Sequence, residues 1–224
     1  MAISDQTAPP VRIVRRSRWS RLLGGGTAGN EQLTAITAVL LLILFAVLGA
    51  TIVFIGQLLW LHLFLGVLLV GPVALKLGST GYRFVRYYTG NRAYTRKGPP
   101  HPIMRALGPF VILATLGVFF TGLLLLIDGP AAPSILRLLH KVTFFLWIAT
   151  VGVHVLGHLL ELPESLRAVS RAQGRSTRLP GSSARSIAII GSLLIGLVMA
   201  LLFLPDVHSW TSGGLHYYRD VGHH

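Results

Sequence analysis

The sequence predicts an all-α fold: a polytopic membrane helix bundle with five transmembrane helices, four of them forming a core. Three observations predict it. First, 52% of the 224 residues are hydrophobic and 12% are charged, with mean hydropathy +0.66, a balance far from that of a soluble domain. Second, five apolar stretches, at about 34–56, 58–77, 103–127, 135–160 and 186–205, each approach the roughly 20 residues that a helix needs to cross a bilayer. Third, seventeen of the twenty Lys and Arg fall in residues 1–33, 76–105 and 162–185, which alternation puts on one side of the membrane. The positive-inside rule makes that side cytoplasmic and the C-terminus extracytoplasmic. The formal net charge of +13 is therefore read as a topology signal, aided by contact with anionic membrane lipid, and not as a nucleic-acid footprint.

The chain is expected to divide into a disordered basic cytoplasmic tail (1–33), a transmembrane bundle (34–205) and an extracytoplasmic C-terminal tail (206–224). The first of these is broken by Pro9, Pro10 and Gly24–Gly26 and lacks the short apolar core of a signal peptide. There is no cysteine. That excludes disulfides, thiolate-bound iron–sulfur clusters, covalently attached haem and cysteine nucleophiles.

Segment one is uniformly apolar, with no histidine and no charge. Gly56–Gln57 leaves room only for a short turn, so segments one and two form a tight antiparallel hairpin. Segment two carries His62 about one turn from its outer end, with Gly66 four residues on along the same face. Trp60 is read as an interfacial anchor. The connection 78–102 is rich in Gly, Tyr and Arg and reads as an interfacial segment. Segment three has Gly108, Gly117 and Gly122 with Thr115 and Thr121, a composition for close helix packing, and His101 just before it. Segment five holds no ionisable residue and reads as a supporting helix. The C-terminal tail has His208, His216, His223 and His224, a scatter that is expected to ligate nothing.

Segment four organises the rest. It carries His140, His154 and His158. At about 100° per residue the fourteen-residue step from His140 to His154 leaves them about 40° apart, and His158 is almost eclipsed with His140. All three line one stripe, with His140 and His154 about 21 Å apart along the axis, a separation that suits two sites at different depths. Histidine inside a membrane is costly and marks a candidate functional site, and imidazole suits haem iron. Segments two and four run in the same direction, so His62 and His140 should share a depth near the external face. Together they would give bis-imidazole ligation of a b-type haem, with Gly66 leaving space for a flat macrocycle. A second haem is the natural use for His154, but the matching position fourteen residues after His62 is Lys76, leaving His101 opposite His158 as the remaining candidate.

The pairing of a segment-two histidine with two segment-four histidines fourteen residues apart resembles the b-type cytochrome subunits of formate dehydrogenases and nickel–iron hydrogenases. The phrases LHKVTFFLW, HVLGHL and GPVALKLGSTGYRFVRYYTG are similar to those of an actinobacterial cytochrome b/b6-type membrane protein. The resemblance spans about residues 58–160. It implies a bacterial plasma-membrane subunit that passes electrons between a quinone pool (menaquinone or another quinone) and an extracytoplasmic or peripheral oxidoreductase. It also implies that His62 and His140 ligate one haem b and that His154 ligates a second. The family's partner for that inner ligand lies at the start of the first helix, where this chain has LTAITAV and no histidine.

The expected function is thus non-catalytic electron transfer by a subunit of an oxidoreductase complex, with no nucleophile–base pair in view. Two other classes compete with it. A haem-free transporter or channel would use the histidines as a polar pathway, and a structural anchor would dock a redox enzyme through residues 206–224.

Overall fold

The computed structural model describes residues 26–96, 102–172 and 182–221, with side chains described for 26–96, 102–158 and 182–212. Among the described residues the chain is helix and turn, with no strand. The helices are α1 (Gly26–Val53), α2 (Ile55–Leu68), α3 (Val70–Tyr88), α4 (Arg92–Thr95), α5 (Pro102–Asp128), α6 (Ser134–Ala172), α7 (Ser182–Leu202) and α8 (Leu204–Val221). Five stretches are long and apolar enough to cross a membrane: α1, the α2–α3 pair, α5, residues 134–158 of α6, and α7. The chain is a multi-pass, all-α membrane protein. Large apolar side chains such as Phe110, Phe145, Ile187 and Leu202 are more than half exposed on the outside of the bundle, where lipid covers them.

Three boundaries differ from the sequence reading. Residues 26–33, expected in the N-terminal tail, form the first two turns of α1. The expected interfacial connection begins as helix: α3 runs on to Tyr88, so the α2–α3 span of 34 residues is about 51 Å long and outreaches the hydrocarbon layer of about 30 Å. It ends at Gly90, whose φ of +74° suits glycine and lets the Gly90 and Asn91 amides bond back to the Tyr87 and Arg86 carbonyls. Residues 206–221, expected as a loose tail, continue as α8, with Pro205 in the first turn, where a missing N–H costs nothing. Trp210 on α8 donates from Nε1 to the Leu125 carbonyl at 3.2 Å.

α2 and α3 meet at Leu69, three residues before Pro72, whose ring nitrogen cannot donate to the Leu68 carbonyl. α7 docks at this break. A side chain on Gly196 would collide with the Leu68 carbonyl, and one on Gly71 would collide with the Ser192 carbonyl. The two backbones therefore approach as closely as glycine allows, and each glycine faces the other helix's carbonyl. Val67, Leu126, Ala200 and Val207 close this side of the bundle, with Leu63, Phe64 and Trp210 packed around them. α7 and α8 thus buttress the back of α2 and leave its His62–Gly66 face to the interior.

Candidate functional site

Each of the first two long hairpins carries one histidine of the predicted pair, and each holds it in the same way. In the α1–α2 hairpin, Thr51 Oγ1 lies 2.9 Å from Nδ1 of His62. The Thr51 hydroxyl gives its one proton to the Leu48 carbonyl, so its oxygen accepts from the ring. In the α5–α6 hairpin, Thr121 Oγ1 lies 3.0 Å from Nδ1 of His140 and donates to the Gly117 carbonyl at 2.9 Å. Thr143 Oγ1, 3.0 Å away, completes the shell of Thr121. A backbone carbonyl three residues before each threonine, of Leu48 and of Val118, flanks the ring as well. This arrangement favours the tautomer with its proton on Nδ1 and the lone pair on Nε2, the neutral form that binds metal.

Space has been made for these rings. A Cβ on Gly122 would sit 3.0 Å from His140 Cε1, tighter than an ordinary contact, so the ring would have to shift by a few tenths of an ångström to admit it. Thr51 and Thr121 are buried, at 1% and 8% exposure, in helices otherwise read as apolar. His62 and His140 are half-buried and lie close enough that charge on one ring would be felt at the other. Their helices, α2 and α6, are nonetheless not packed along each other; α6 packs along α5. Gly66, on the His62 face of α2, has no atom within 4 Å of where a Cβ would stand. Two Nε2 lone pairs, an open strip beside one of them and separated helices are features a flat, bis-imidazole group fits.

Below this level the interior is filled. Phe45 of α1 contacts Trp147 of α6, with ring centroids 4.8 Å apart, and Phe119 of α5 at 6.4 Å. Leu69, with no exposure, lies in the same layer with Leu41 and Val73. Trp147 donates from Nε1 to Thr115 Oγ1 at 3.2 Å, which satisfies the indole within the bundle. Trp147 is midway between His140 and His154 in sequence, and Leu69 is midway between His62 and Lys76. The layer divides the bundle into a His62 end and a Lys76 end.

At the Lys76 end the predicted residues are arranged differently. His154 and His158 stack edge to face at 4.6 Å on one helix face, and His158 is exposed. His154 Nδ1 is enclosed and has no hydrogen-bond partner among the described residues. Lys76 lies within electrostatic reach of His154 and donates from Nζ to the Thr34 carbonyl at 2.9 Å. Thr34 in turn meets Ser79 at 3.2 Å, and Asn30 donates to the Ser79 carbonyl at 3.2 Å. His101, and the side chains of Glu161 and His216, lie outside the described residues, as do His223 and His224. His208 is exposed on α8.

The sequence reading missed Thr51, Thr121, Thr34 and Ser79, because a threonine or serine within an apolar segment reads as a packing residue. A signal was present. Thr51 and His62 are equidistant from the Gly56–Gln57 turn, and Thr121 and His140 are equidistant from Pro130–Ala131. Antiparallel hairpins bring such positions to the same depth.

Among the described residues no three His, Cys, Asp or Glu side chains gather into a metal cage, a pattern that a two-histidine site does not require. Compared with known proteins, the chain matches no family model, and it has no significant match among curated proteins or solved structures.

Proposed function

We propose that the chain is a membrane b-type cytochrome: an electron-transfer subunit that holds haem b between His62 and His140. One observation carries the reading. Two imidazoles on separate helices, within electrostatic reach of each other, both have Nδ1 on a buried threonine, an arrangement that favours a free lone pair on Nε2. His62 and His140 would hold the haem, which would supply one-electron chemistry there with no open position for oxygen.

The protein's part is to bind and orient. Thr51 and Thr121 fix each ring's rotation and tautomer, so that neither imidazole needs to lose a proton or turn before it ligates. Gly122 makes room for the His140 ring, and the open strip at Gly66 leaves space along α2. The Phe45–Trp147 contact lies across the floor of the site, toward the other half of the bundle. Burying a neutral ring in the membrane costs far less than burying an imidazolium.

The arginine distribution supports a cytoplasmic N-terminus in a bacterial plasma membrane, which puts the His62 end outward. A quinone within the bilayer and an oxidoreductase docked on the outer face are the redox partners this placement favours. The deciding experiment is a reduced-minus-oxidised absorption spectrum of detergent-purified protein, with haem quantified as pyridine haemochrome, on wild type, His62→Ala and His140→Ala. A b-type spectrum lost in both variants is expected. Colourless protein from haem-replete cells would defeat the reading and favour a histidine-lined transporter or a structural anchor.

A further inference from the structure

The spacing of His140 and His154 invites a second haem at the Lys76 end of the bundle. We infer that this end takes none, because Lys76 and its hydrogen-bonded partners occupy the place of an opposing ligand, and that the chain binds a single haem at its His62 end. The inference rests on the cytochrome reading above.

Four observations separate the two ends. The group within electrostatic reach of His140 across the bundle is an imidazole; the one within reach of His154 is Lys76, whose ammonium has three protons to donate and no lone pair. That ammonium is tied to the Thr34 carbonyl at 2.9 Å, and a positive charge there also opposes a cationic iron. Next, α1 and α3 are joined directly at this depth: Thr34, Thr37 and Ser79 are buried, and the Asn30–Ser79–Thr34 bonds hold the Thr34 carbonyl where it takes the Lys76 ammonium. Then the ring itself is held differently. His62 and His140 each have Nδ1 on a threonine, whereas His154 Nδ1 is enclosed without any such partner, so nothing fixes the metal-binding tautomer. Finally, Met104 of α5 lies against Gly157, so α5 covers the α6 surface beside the His154–His158 stripe.

The Phe45–Phe119–Trp147 layer completes the separation. On this account the chain by itself offers one redox station in one half of the membrane, with no second one below it.

The test is haem-to-protein stoichiometry, by pyridine haemochrome and amino-acid analysis, on wild type, His154→Ala and Lys76→His. The haem retained at the His62 end reports in each variant that the bundle has folded. The expected ratios are one in wild type, one in His154→Ala with an unchanged midpoint potential, and above one in Lys76→His, where an imidazole replaces the ammonium opposite His154. A wild-type ratio of two that falls to one in His154→Ala overturns the inference while leaving the cytochrome reading intact. A ratio that stays at one in Lys76→His overturns the assignment of Lys76 as the blocking group. A wild-type ratio of zero defeats the cytochrome reading, and the inference with it.

Discussion

Thr51 and His62 face each other across the first hairpin, five residues before Gly56 and five after Gln57, with Oγ1 and Nδ1 2.9 Å apart. Thr121 and His140 repeat the relationship across the second hairpin at 3.0 Å. Outer partners of this kind set both the affinity of a metal site and the basicity of its ligands.

Replacing Thr51 or Thr121 by valine keeps shape and removes the acceptor. Each variant should fold and lose about 10–100-fold in haem affinity, with a shifted midpoint potential. Haem titration of the apoprotein and a redox titration check this. Serine at either position should restore most of the loss.

Gly122→Val should act on His140 alone. The added Cβ would stand 3.0 Å from His140 Cε1 and push the ring off its threonine. Gly117→Ala is the control, since its Cβ would meet Thr143 Cγ2 at an ordinary 3.5 Å. The first should reduce bound haem to the level of His140→Ala, and the second should leave it unchanged.

Gly196→Ala and Gly71→Ala each place a methyl group against a backbone carbonyl that cannot rotate away. Each should cost about 1–3 kcal/mol of stability, the range for overpacking. Unfolding in mixed micelles of increasing denaturing detergent would show it. Gly191→Ala, with open space around it, should unfold like wild type.

Trp210→Phe removes the hydrogen bond to the Leu125 carbonyl while keeping the ring. α8 should then open more readily, by about 0.5–1.5 kcal/mol, and its amides should exchange faster with little change elsewhere. Hydrogen exchange read by mass spectrometry over residues 204–221 checks this.

Much of the architecture was legible because the driving pattern is coarse. Long apolar runs punctuated by Arg-rich connections define spans whatever their packing partners, and the five expected spans appear. The helix ends were less legible. Nothing in the composition of 206–221 reveals that Val207 and Trp210 find a surface on α2 and α5, since that surface exists only after the bundle has folded. At the site, histidine announces itself by its cost in a membrane, so His62 and His140 were legible from one chain. The threonines were not. A hydroxyl can satisfy itself on its own helix, as Thr37 does on the Leu33 carbonyl, so its presence alone does not distinguish a packing residue from a pin.

Because each threonine and its histidine belong to one contiguous hairpin, half of the site is complete as soon as that hairpin has entered the bilayer. No contact from the other hairpin is needed to orient either ring. Assembly then reduces to docking two finished pieces side by side, and a planar guest can be captured between them at that late step instead of having to thread into a closed bundle. Biogenesis in this order would make the α1–α3 and α5–α6 portions, expressed as separate polypeptides, able to recombine into one coloured complex.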